Sequence, residues 1–135
     1  MKFTPLVVVL FAALATSCGG GVADPPRQLV SITVTPATAD AQIFPNGQVQ
    51  FTAKGTFSDG SKSQITVLWT LNGPFTQTPI PNIKLNSLGM AQCIAGGFVG
   101  TGGVFATAPA DTNIPLSNMT MFTKNVSGTA QIICP

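Results

Sequence analysis

The chain contains no histidine, no tyrosine and no glutamate. Those absences remove the commonest general base, the commonest nitrogen ligand for metals and half of the carboxylates from which acid–base sites are built. Charge of either sign is scarce: six Lys and Arg stand against four Asp, a formal net charge of +2, with 7% of residues charged. The cations Arg27, Lys54, Lys62, Lys84 and Lys124 are scattered. No cluster of Lys and Arg exists to displace counterions, so a nucleic-acid partner is not expected. Asp24, Asp40, Asp59 and Asp111 lie far apart in turn or linker contexts, whereas a glycosidase pair needs two carboxylates roughly 5–9.5 Å apart. We therefore expect no enzyme, no catalytic residue, no metal and no cofactor; a Ser/Lys arrangement is the one nucleophilic chemistry the composition leaves open.

What the chain does have begins at its start. Lys2 precedes an almost wholly apolar run over residues 6–15, the layout of an export signal. The run is too short for a spanning helix, which needs about 20 apolar residues. Cys18 follows it directly, and the chain has three cysteines. An odd number in an exported protein calls for one cysteine with a different job, and the simplest division leaves Cys93 and Cys134 to form a disulfide.

Ala15-Thr16-Ser17-Cys18 resembles the bacterial lipobox. The resemblance implies that Cys18 is acylated and becomes the mature N-terminus, tying the protein to a membrane through an N-terminal lipid. Gly19, rather than Asp, follows the cysteine, which in lipoproteins of Gram-negative type implies the outer membrane. Two cleavage sites compete, because Ala13-Leu14-Ala15 is also an A-x-A site for ordinary secretion. The expected organisation is a signal peptide at 1–17, a lipidated cysteine and linker at 18–28, where three glycines precede Pro25-Pro26, and one domain at 29–135.

From residue 29 onward the hydrophobic period is two. Apolar residues alternate with polar ones over 30–34, 48–57 and 65–71, and shorter candidates occur at 83–86, 91–95, 104–108, 119–123 and 129–134. Turn chemistry separates them: Pro36, Pro45-Asn46-Gly47, Asp59-Gly60, Asn72-Gly73-Pro74 and Gly96-Gly97. No window makes an amphipathic helix, so the chain is expected to be all-β, an antiparallel sandwich of about seven to nine strands. Asp59-Gly60 reads as a turn rather than a metal site, and the stretch from 57 to 65 as a hairpin or inter-sheet loop. Cys93 shares parity with Ala91 and Ala95, and Cys134 with Ala130 and Ile132, so both thiols are expected to point inward.

The stretch SITVTPATADAQIFPNGQVQFTAKGTFSDGS followed by ITVLW resembles the bacterial immunoglobulin-like domain of group 2. In that resemblance Pro36 ends the first strand, Gly47 precedes the second, Asp59-Gly60 makes a turn and Trp69 is the core tryptophan. It covers residues 30–71 well. Beyond them the chain inserts NGPFTQTPIPNIKLNS and carries an extension from 109 to 135, expected to add edge strands. The family is common in adhesins and other envelope proteins, so the resemblance implies a non-catalytic binding, adhesion or structural module with an Ig-like fold.

Three further features are read more plainly. GGFVGTGG at 96–103 lacks the Lys-Ser/Thr ending of a phosphate loop and reads as a tight loop or bulged strand. Trp69 shares parity with Val67 and Leu71 and is expected in the core, which weakens the alternative of a secreted carbohydrate-recognition domain with a glycan ligand. Phe75, Ile80 and Phe98 lie in irregular segments and are the candidate partner surface, with capping of the sandwich as the competing use of Phe75 and Ile80.

Overall fold

The computed structural model describes residues 25–75, 80, 83–94 and 100–135. Ten strand segments run through them: β1 (Leu29–Thr35), β2 (Thr38–Asp40), β3 (Gln48–Gln50), β4 (Thr52–Phe57), β5 (Lys62–Gln64), β6 (Leu68–Leu71), β7 (Ile83–Leu85), β8 (Met90–Cys93), β9 (Gly100–Pro109) and β10 (Asn125–Cys134). Only short 3-10 turns accompany them. Among the described residues no helix is long and apolar enough to cross a membrane.

The segments β3 and β4 are one strand that changes partner at Phe51, whose N–H still donates to the Gly89 carbonyl in register with the pairing of Gln50 and Met90. That strand pairs with β1 and β5 through its second half and with β8 through its first, while β7 extends the sheet beyond β8. The facing sheet has the order β2-β10-β9-β6. The chain is an all-β sandwich. One pairing departs from an antiparallel fold. After the cis Thr35–Pro36 peptide the chain changes sheets, and β2 runs parallel to β10.

The alternation seen in the sequence becomes burial. On β1, Ile32 and Val34 face inward; on β4, Ala53, Gly55 and Phe57; on β9, Gly102, Val104, Ala106 and Ala108; on β10, Ala130, Ile132 and Cys134. Phe51, Val49, Val104 and Ile132 are the largest fully buried apolar side chains. The inward residues of β9 and β10 are mostly small, which lets the bulk of Phe51 and Phe57 from the other sheet fill the space between. Gly89 closes the turn before β8 with φ +82, and a β-carbon there would stand 2.7 Å from the Phe51 carbonyl and 2.8 Å from the Trp69 ring. Only glycine fits both the dihedral and the space.

Four expectations change. Residues 119–123 form no strand; their backbone is held in a turn. The segment after 109 does not add edge strands, since β10 lies between β9 and β2 with both backbone edges paired. Its inward face of Gly128, Ala130, Ile132 and Cys134 is buried, and a residue row buried that completely belongs in the middle of a sheet. The stretch 65–71 is a strand only from Leu68, because the Ile65 N–H bonds the Ala53 carbonyl and keeps the chain beside β4 for longer. Trp69 has the expected inward parity and packs against the core but is only partly buried, since β6 is the outer strand of its sheet.

Candidate functional site

Cys93 and Cys134 form a disulfide with Cα atoms 5.7 Å apart. Cys93 ends β8 in one sheet and Cys134 ends β10 in the other, so the bond staples the two sheets and holds the last residues of the chain. A cavity of about 400 Å³ adjoins it, lined by Phe44, Asn46, Ile94 and both cysteines among others. Turn chemistry is as expected at Asp59-Gly60: the Gly60 N–H donates to the Phe57 carbonyl, and Asp59 accepts from the Ser61 N–H and hydroxyl, joining β4 to β5 as a hairpin.

Among the described residues no group of His, Cys, Asp or Glu is arranged to hold a metal, and no buried side-chain oxygen or nitrogen lacks a hydrogen-bond partner. Buried Thr107 pairs its hydroxyl with Ser127 at 2.9 Å, and buried Thr70 donates to the Gly73 carbonyl at 2.6 Å. The interior polar groups are thus spent on the fold itself.

Of the sequence-predicted partner surface, Ile80 is partly buried and packs on the core, near the β9 backbone at Gly102. Phe75 is partly buried, with φ +65. Phe98, Cys18 and the expected signal segment at 1–17 lie outside the described residues. Larger exposed apolar side chains occur elsewhere. In the connection from β9 to β10, residues 110–124, Met121 is 73% exposed and Phe122 is 93% exposed.

That connection is built in two parts. Its first half folds back on the sandwich, where Leu116 packs against the core and, with Ile114, Leu29 and Phe57, lines an open apolar pocket of about 290 Å³. Its second half returns as a tight turn. Thr120 and Thr123 clasp each other, since the Thr120 N–H donates to Thr123 Oγ1 at 3.2 Å and the Thr123 N–H donates to the Thr120 carbonyl at 3.2 Å. The Phe122 N–H reaches Thr120 Oγ1 at 3.3 Å. Asn125 then locks the turn from below, its Nδ2 donating to the carbonyls of Thr120 at 2.8 Å and Thr123 at 2.9 Å. The polar side chains turn inward to satisfy the backbone, which leaves Met121 and Phe122 with nothing to pack on.

The loop is fixed to the start of the domain. The Ala110 N–H donates to the Lys124 carbonyl and the Leu29 N–H to the Ala110 carbonyl, both at 2.8 Å. Thr112 Oγ1 donates to the Arg27 carbonyl at 3.2 Å. Arg27 itself lies over the Phe57 ring, 3.5 Å from its centroid, with its Nε 3.7 Å from Asp59 Oδ2. The Ser61 hydroxyl and N–H, and more weakly Arg27, hold the Asp59 carboxyl below its ordinary value of 3.8.

Residues 119–123 were legible as a turn in one respect. Alternation fails at Met121-Phe122, two adjacent apolar residues, and Thr120, Thr123 and Asn125 are spaced to bond the backbone between them. The sequence matches no family model and none of the curated proteins. What fold and surface define together is a disulfide-stapled β-sandwich with exposed apolar side chains at Ile43, Leu88, Met121 and Phe122, the last two adjacent on one hydrogen-bonded turn.

Proposed function

We propose that this chain is a non-catalytic cell-envelope lipoprotein, in which a bacterial Ig-like domain of group 2 acts as a binding or structural module held to the outer membrane through Cys18. The observation that carries the binding role is the β9–β10 loop: two large apolar side chains, 73% and 93% exposed, on a turn whose backbone is hydrogen-bonded from within. Exposure of that kind on a rigid support is the usual form of a contact anchor, because little ordering entropy remains to be lost on binding. The family reading is supported by the all-β sandwich and by the change of sheet at Pro36, with β1 paired to β4 before it and β2 to β10 after it. The disulfide fits an exported chain.

Attachment is tested by fractionation. Cys18→Ala is expected to move the protein out of the membrane fraction, and the mature native protein is expected to carry acyl mass on its N-terminal residue. A Cys18→Ala protein that stays in the membrane fraction refutes the lipid anchor.

A further inference from the structure

We infer that the Met121–Phe122 tip docks into the headgroup boundary of the bilayer that carries the protein, so that the domain is held by its lipid and by its loop at one end. The inference rests on the lipoprotein reading above and adds the occupant of the loop. Its first support is polarity. The chain enters β1 beside the roots of the loop, where Leu29 bonds Ala110 and the Arg27 carbonyl accepts from Thr112. Whatever precedes residue 25 therefore arrives at the end of the sandwich from which the tip projects.

The second support is reach. From Cys18 to Pro25 a fully extended chain spans at most about 25 Å, less than the roughly 33 Å length of the ten-residue strands β9 and β10 that separate the two ends. An acylated Cys18 therefore brings the loop end, and not the disulfide end, next to the lipid surface. At that range docking is an intramolecular event with a high effective concentration, and a small apolar anchor is enough.

The third support is chemistry. Phe and Met are side chains that enter the acyl boundary, and here they are adjacent, exposed and supported by a hydrogen-bonded turn. Charges at this end nearly cancel: Arg27 is paired with Asp59, and Lys124 and Lys62 stand with Asp111 around the loop and the adjoining hairpin. Insertion is then driven by apolar burial and has no need of anionic lipid, so it is expected on zwitterionic vesicles and at high salt.

The test uses the full-length protein, matured in a bacterial host and purified with its lipid, carrying Phe122→Trp at a site too exposed to disturb folding. It is placed in phosphatidylcholine vesicles with either plain or brominated acyl chains, and the emission of the native chain, which has Trp69 alone, is subtracted. The expected result is a blue shift of the residue-122 emission in plain vesicles and its loss in brominated ones, unchanged by salt. In the native sequence, a paramagnetic headgroup lipid is expected to broaden the methyl resonance of Met121 and spare that of Met90. Acylated, vesicle-bound protein with unquenched emission and equal broadening overturns the inference while leaving the lipid anchor standing, and would be the result if the tip serves a protein partner. A mature protein without acyl mass removes the anchor, and the inference with it.

Discussion

Gly128→Ala probes how closely the two sheets approach. Gly128 has the inward parity of β10, in line with Ala130, Ile132 and Cys134. A β-carbon there would stand 2.5 Å from the Ile32 carbonyl oxygen and 2.9 Å from Ile32 Cγ2. Ordinary contact begins at 3.4 Å, so β1 and β10 would have to part by about 1 Å at this point. Ile32 cannot withdraw freely, because β1 is paired with β4 on either side of it, Ser31 with Thr56 and Thr33 with Lys54. Overpacking of this kind costs about 1–3 kcal/mol. Against it stands the gain from restricting the unfolded chain, about 0.4–1 kcal/mol for Gly to Ala. The steric cost wins, and a net loss of about 1–2 kcal/mol is expected.

Gly103→Ala supplies the internal control on the neighbouring strand. Its added β-carbon meets only the Phe105 ring, at 3.1 Å, a side chain able to turn aside. There the entropy gain dominates, and a change between zero and about +1 kcal/mol is expected. Urea unfolding followed by Trp69 fluorescence, with the disulfide intact, measures both. Gly128→Ala is expected to lower the midpoint by roughly 1 M at unchanged slope, for a slope of about 1–3 kcal/mol per molar urea, while Gly103→Ala leaves or raises it. If Gly128→Ala unfolds at the native midpoint or above it, the close approach of β1 and β10 is wrong.

Reduction of Cys93–Cys134 releases a loop with a sequence separation of 41, and by loop-closure entropy this lowers stability by about 4 kcal/mol; comparison of urea midpoints with and without reductant checks it, and equal midpoints refute it. For Asp59, a nuclear magnetic resonance titration is expected to show a midpoint below 3.8, with Ser61→Ala moving it upward. The sign follows from the depression: the ionised carboxylate contributes stability above the unfolded-state value, and that contribution disappears as pH falls through the lower folded value. A midpoint at or above 3.8 would mean that the Ser61 and Arg27 contacts do not hold in solution.

Strand identity and strand facing were readable because they are local. The alternation in 30–34 and 48–57 assigns Ile32, Val34, Val49, Phe51 and Ala53 to the interior, and all five are buried; it also assigns Val30, which is 60% exposed because the irregularity between Leu29 and Ser31 shifts the parity and buries Leu29 instead. The parity of Cys93 and Cys134 directed them inward, and Asp59-Gly60 carried its turn in its own side chain. The loop tip was harder, since MTMF offers enough alternation to pass for a strand until the hydrogen bonds from Thr120, Thr123 and Asn125 are seen. Phe75 and Ile80 were singled out for lying in irregular segments, but irregular sequence does not say which side of a loop the core lies on, and Ile80 turned to the core.

By itself, then, the sequence determined the period of the strands, the buried face of most of them and the turns between, since each depends on residues within a few positions of one another. Tertiary structure alone decided which strands are neighbours. The parallel pairing of β2 with β10, the central place of β10 and the partly buried Trp69 on an outer strand all rest on contacts between residues far apart in the chain. No local pattern encodes the partner of a strand edge, because every backbone offers the same donors and acceptors. The same is true of the end from which Met121 and Phe122 project: it became the end nearest the N-terminal segment only when Leu29 paired with Ala110.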